Sequence, residues 1–132
     1  PLLADQGLGA ALEAHAKRAP VPVTVEFDGI DRYPQGVESA VYFCALEALN
    51  NVAKYADASR VTIRLSDGDG RLVFSVADDG RGFDPAETGY GTGLQGMADR
   101  LDAIGGALEV VSAPGAGTTV TGRVSTDESA SG

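Results

Sequence analysis

The chain has no second cysteine, no basic cluster, no long apolar run and no internal repeat. Cys44 stands alone, which excludes an internal disulfide and fits a reducing compartment. Ten Lys and Arg face 19 Asp and Glu, a formal charge of −9. That balance, with no basic aromatic stripe, argues against nucleic acid or an anionic membrane surface as a partner. No apolar stretch approaches the ~20 residues of a membrane helix, and no signal peptide is legible. A cytoplasmic location without direct membrane contact is therefore expected, even if a longer parent is membrane-anchored. The first residue is Pro1 rather than Met, so the chain is expected to be a piece of something longer.

What is present fits one soluble domain: 132 residues, 43% hydrophobic and 22% charged. Leu8, Ala11, Leu12, His15 and Ala16 fall at helical spacing, predicting a helix over residues 8–18 that Pro20 ends. Val21, Val23, Val25 and Phe27 alternate with polar residues as in a half-buried strand. A long helix is expected from about Val37 to Ala56, with Ala45, Leu49, Val52 and Ala56 as its apolar stripe. Glu47, Asn51 and Lys54 line another face together with Phe43 and Cys44. Asn50-Asn51 places two poor helix formers mid-helix, and such a mixed face reads as a pocket wall rather than a solvated surface. Residues 60–66 and 71–77 form a hairpin across Asp67-Gly68-Asp69-Gly70. A helix from Leu94 to Ile104 stops at Gly105-Gly106, and strands 107–112 and 118–124 form a last hairpin. The domain spans residues 1–124, and the acidic tail 125–132 is expected to be disordered. The implied fold is an α/β two-layer sandwich: a mixed, largely antiparallel sheet of about five strands covered on one face by three helices.

The chemistry is concentrated between Val76 and Met97, in VADDGRGF, a linker DPAETGY, and GTGLQGM. Asp78 stands where an alternating strand stops, which makes its carboxylate a fixed acceptor at the rim of the core. Gly80, Gly82, Gly91 and Gly93 let backbone approach a ligand closely. Near Gly93 and Leu94 a helix begins, where free N–H groups favour a phosphate. An acceptor for a base and donors for phosphates would then lie at two ends of one pocket. GTGLQG also spells a dinucleotide fingerprint, with Glu109 at ribose-acid spacing. That motif must follow a buried strand, and DPAETGY is not one.

The ordered motifs ALEALNNVAKYA, DDGRGF, GTGLQGM and MADRLDAIGGALEVVSAPGAGTTV resemble the catalytic ATP-binding domain of bacterial sensor histidine kinases, over roughly residues 37–124. The short linker and ADRLDAIGG are similar to the subgroup of nitrate and membrane-fluidity sensors. The resemblance implies the Bergerat-type fold, with ATP and Mg²⁺ as ligands. Asn51 then matches the Mg²⁺ ligand, and Glu47 the acid that orients or deprotonates the attacking group. Lys54 offsets phosphate charge, and Tyr55 stands where many relatives have histidine. Asp78 accepts from the adenine amino group, and Thr118 lies near the adenine. Gly80 and Gly82 turn beneath the base, while Gly91, Gly93 and Leu94 belong to the lid and its phosphate-facing turn. Asp79 departs from a position that is often asparagine in the family.

No helical hairpin with an acceptor histidine is legible, and His15 lacks the flanking residues of such a motif. The acceptor is therefore expected on a separate histidine-containing dimerisation domain of the parent kinase, with a response regulator as indirect partner. The piece by itself is expected to be a monomer. The same resemblance also covers an anti-sigma-type serine kinase or a non-catalytic ATP-binding regulatory module, and Glu47 could activate water in a hydrolytic ATPase.

Overall fold

Alternation of apolar and polar residues builds the sheet. In the computed structural model, which describes residues 7–19, 21–30, 32–52, 59–68, 70–80 and 92–125, the strands are β1 (Val23–Asp28), β2 (Val61–Gly68), β3 (Arg71–Asp78), β4 (Ala107–Ser112) and β5 (Thr118–Ser125). They lie in the order β1-β2-β3-β5-β4. The β1-β2 pair is parallel and the others antiparallel, so the sheet is mixed as expected. Val61, Ile63 and Leu65 of β2, Leu72, Phe74 and Val76 of β3, and Val120 and Val124 of β5 are buried on one face. The intervening residues point to the opposite side, where Glu26 and Arg64, partners in register, form an exposed ion pair of little energetic weight. Opposite Phe74 sits Gly122, where a Cβ would lie 2.0 Å from the ring. The glycine is what lets a phenylalanine lie across the sheet at this point.

Three described helices, α1 (Leu8–Ala16), α2 (Gln35–Asn51) and α3 (Thr92–Ala103), accompany the sheet. Leu8, Ala11 and Leu12 of α1 are buried, one face as the spacing predicted. Helix α2 buries a wider band, Ala40, Val41, Cys44, Ala45, Ala48 and Leu49, because it packs on the sheet and also against α1 and α3. Here the structure differs from the sequence reading. Cys44 does not line a pocket with Glu47 and Asn51; it is fully buried, and its thiol donates to the Met97 carbonyl of α3 at 3.7 Å. The face that looks polar-mixed in one dimension is partly a seam between two helices.

Helix α3 ends as its glycines predict. Gly105 has φ +77°, Gly106 N–H donates to the Leu101 carbonyl at 2.7 Å, and Gly105 N–H donates to Asp102 at 3.1 Å. This double bond pattern satisfies carbonyls that the last turn would otherwise leave open. The β2-β3 hairpin is tighter than its four-residue signal, since Gly68 pairs with Arg71 and Gly70 takes φ +74°. The last four residues of the expected helix, 53–56, and the acidic tail from residue 126 lie outside the described residues.

Candidate functional site

Topology decides which end of the sheet α2 serves. At its start, buried Glu38 accepts from Arg32 Nε at 3.0 Å and Nη2 at 3.2 Å, and from Tyr33 N–H at 3.3 Å. The Tyr33 hydroxyl donates to Asp67 at 2.6 Å, at the end of β2. The helix is thus tied to the hairpin end of the sheet. Its 17 residues extend about 25 Å at 1.5 Å per residue. An eight-residue strand such as β3 is about as long, about 26 Å. Lying across β3 and β5, the helix therefore carries Glu47 and Asn51, in its last turns, toward the opposite end, where β3 finishes at Asp78. Glu47 and Asn51 are half-buried, and among the described residues neither side chain makes a hydrogen bond.

At that end Asp78 pairs in register with Thr118, which opens β5. The Asp78 Oδ1 accepts from Gly80 N–H at 2.8 Å, so the turn after the strand folds back onto its own carboxylate. Burial pushes the Asp78 carboxyl above its ordinary value, against the pull of the Gly80 and Thr118 backbone, and the neighbouring Asp79 charge adds to the rise. The Thr118 hydroxyl lies 2.8 Å from the Ser112 hydroxyl across the hairpin. Gly117, with φ +76°, is pressed against the strand end: a Cβ there would lie 2.2 Å from the Asp78 carbonyl oxygen. Gly117 thus both turns the chain between β4 and β5 and lets β5 meet Asp78.

Asp79 lies outside the core but is fully engaged. Its Oδ1 accepts from Ser59 N–H at 2.8 Å and Arg60 N–H at 3.0 Å, while Oδ2 accepts the Ser59 hydroxyl. The Ser59 hydroxyl, ahead of the backbone donors, holds the Asp79 carboxyl down at about 2. Nothing in the sequence singled out Ser59, since a lone serine before a strand carries no pattern.

Along the α2-α3 seam, Arg100 stacks its guanidinium over Phe43 at 3.9 Å from the ring centroid. Desolvation pushes the Cys44 thiol up to about 12, with Arg100 opposing and Glu47 reinforcing the rise. Both charges therefore flank the buried sulfur. His15, half-buried on α1, is held below its usual value by burial and by Arg18.

Glu47, Asn51, Asp78, Gly80 and Thr118 thus share one end of the sandwich. Gly93 and Leu94 fall in the first turn of α3. Lys54, Tyr55, Gly82 and Gly91 lie outside the described residues. Among the described residues no group of three or more His, Cys, Asp or Glu could hold a metal ion. An Mg²⁺ bound mainly through nucleotide phosphates and water asks for only one or two protein oxygens, and the unbonded Asn51 amide fits that demand.

Comparison with known proteins agrees with this geometry. The family described as histidine kinase-, DNA gyrase B-, and HSP90-like ATPase matches residues 36–128. The chain is 36% identical over 129 residues to the sensor histidine kinase MctS of Rhizobium johnstonii, covering 91% of this chain and 28% of that protein. It is 34% identical over 121 residues to the sensor histidine kinase LiaS of Bacillus subtilis, covering 90% and 33%. The chain thus spans a third or less of the length of these relatives. The blue-light activated histidine kinase of Erythrobacter litoralis EL346 superposes with TM-score 0.78 at 24% identity, over 94% of this chain and 43% of that one, a likeness of fold. The mycobacterial sensor histidine kinase MprB superposes with TM-score 0.64 at 25% identity, over 87% and 89%.

Proposed function

Because the chain belongs to the family of histidine kinase-, DNA gyrase B- and HSP90-like ATPases, we propose that it binds Mg-ATP and passes the γ-phosphoryl group to a histidine. That histidine sits on a dimerisation domain of a longer sensor kinase, from which a response regulator is then served. The observation that carries this reading is Asp78: a half-buried carboxylate at a strand end, folded onto Gly80 and set beside Thr118. It can accept a hydrogen bond from the adenine amino group, whereas guanine would bring a carbonyl oxygen against it. The short linker and ADRLDAIGG favour the nitrate-sensor and fluidity-sensor subgroup within the family.

In this reading an imidazole nitrogen of the acceptor attacks the γ-phosphorus as the bond to the ADP oxygen breaks. Glu47 orients the incoming imidazole and takes its proton. Asn51 offers its amide oxygen to Mg²⁺, which neutralises charge on the phosphates when bound. Lys54 is assigned to offset phosphate charge, and Tyr55, which stands where many relatives have histidine, to the nucleotide site. Gly82 is assigned with Gly80 to the turn beneath the base, and Gly91, Gly93 and Leu94 to the lid and its anion-facing turn. The site is assigned to a cytoplasmic setting on the lone Cys44, which fits a reducing compartment.

Calorimetry with ATP and GTP in the presence of Mg²⁺ tests the binding step. Measurable ATP affinity with much weaker GTP affinity is expected, and equal affinities would remove adenine from the Asp78 assignment. Radiolabel transfer to the parent's acceptor hairpin tests the chemistry. Glu47→Gln should slow transfer roughly a hundredfold or more at nearly unchanged ATP affinity, about the contribution of a positioned base. Asn51→Ala should weaken Mg-ATP binding itself.

A further inference from the structure

Asp79 points away from the core, yet every acceptor position of its carboxylate that the described residues reach is used for one purpose. Ser59 and Arg60 are the first described residues after the 53–58 stretch and lead directly into β2. Both give their backbone N–H groups to Asp79 Oδ1, and Ser59 adds its hydroxyl to Oδ2. The β2-β3 ladder closes at Val61 opposite Asp78, so these bonds continue the pairing past the last ladder position. Asp78 and Gly80, on either side of Asp79, are the groups whose own bond shapes the turn. A single residue thus holds the chain before β2 and the turn after β3 in one arrangement.

We propose that Asp79 is a positioning residue for the nucleotide site, clamping Ser59 and Arg60 to the end of β3 so that the Asp78-Gly80 turn is held in its ligand-ready shape. The inference rests on the adenine-binding role given to Asp78 above. It assigns Asp79 no contact with nucleotide. The clamp requires an acceptor for two backbone N–H groups and a partner for one hydroxyl. A carboxamide satisfies both, with its oxygen toward the N–H groups and its NH₂ donating to the Ser59 oxygen. A methyl satisfies neither. A carboxamide keeps the shape of the clamp and gives up a charge that the Ser59 and Arg60 donors favour but that opposes ionisation of Asp78.

Nucleotide affinity separates the clamp from a merely structural bond. In calorimetry on the whole chain, Asp79→Ala should weaken ATP binding roughly tenfold and narrow the preference for ATP over GTP, the scale of a lost charge-assisted bond. Asp79→Asn should stay within about twofold of wild type, the size of a near-neutral exchange of partners. Ser59→Ala should cost roughly threefold in the wild-type background and add nothing on top of Asp79→Ala, because the two residues act through one contact. Should Asp79→Ala fail to fold, Ser59→Ala and Asp79→Asn carry the test. An Asp79→Ala chain that melts earlier yet binds ATP as wild type does would overturn the proposal. So would an Asp79→Asn loss as large as that of alanine, or additive effects of Ser59→Ala and Asp79→Ala. A wild-type chain that binds no ATP overturns the adenine reading with it, whereas wild-type binding with unaffected variants overturns the clamp alone.

Discussion

The two ends of the sheet each carry a pair of acids, and one of the four, Asp78, is treated differently from the rest. At the hairpin end, Glu38 takes a forked bond from Arg32 plus the Tyr33 N–H, and Asp67 takes the Tyr33 hydroxyl. Those carboxylates are occupied by side chains of the protein itself, and they join α2 to the hairpin. At the other end Asp79 is likewise consumed by the fold, but among the described residues Asp78 is met by backbone alone and is pushed above its ordinary pKa by burial. A partly desolvated carboxylate met only by backbone is costly unless something else will use it. The contrast teaches that a site is marked by acceptor capacity the fold leaves open, and not by acidity as such.

The sharpest way to break this contrast is to reverse one acceptor at each end. Asp78→Asn should cost about 2 to 4 kcal/mol of ATP binding, through a lost charge-assisted bond and a donor facing the adenine amino group. Its circular dichroism should stay that of the wild type. Unchanged affinity measured by calorimetry would move base recognition away from Asp78. Glu38→Ala should do the converse, lowering folding stability by about 1 to 3 kcal/mol by removing the acceptor that Arg32 and the Tyr33 N–H share. Arg32 is half exposed, so water softens the loss. Denaturant melts read the change, and ATP affinity should hold; a parallel fall in affinity would show that the two ends are coupled through α2.

A smaller effect separates the neighbours Asp78 and Asp79 by pH. The Asp79 carboxyl falls from 3.8 to about 2 on folding, so its contribution is fully present above 3.8 and is lost as pH drops toward 2. Asp78 shifts the other way, so protonation at acid pH relieves a cost of folding rather than adding one. Thermal melts between pH 6 and 3 should therefore fall less steeply for Asp79→Ala than for wild type, while Asp78→Asn should fall at least as steeply as wild type. Identical slopes in all three chains would dissolve the distinction. The least effect concerns Cys44: with its thiol near 12 and no exposure, alkylation in the native state should be slow and should become fast only on unfolding. Rapid native labelling would mean that the α2-α3 seam opens.

Much of this was legible in one dimension because strand and helix periodicities are properties of consecutive residues. The alternation at Leu72, Phe74 and Val76, the Asp-Gly hairpin and the Gly105-Gly106 stop predicted elements whose observed bounds differ by one or two residues. Asp78 was legible as well, since an acid that ends an apolar alternation must stand at the rim of a core. The sequence could not say that Cys44 faces a second helix, because a helical wheel does not show which faces find partners. Nor could it say that Ser59 and Asp79, 20 residues apart, meet. It likewise gave no sign that Gly117 must yield space to the Asp78 carbonyl. Elements and their ends follow from local propensity and pattern. Which groups share an end of the sheet, and which acceptor is left open there, follows only from register and crossover, because these bring together residues whose separation along the chain carries no periodic signal.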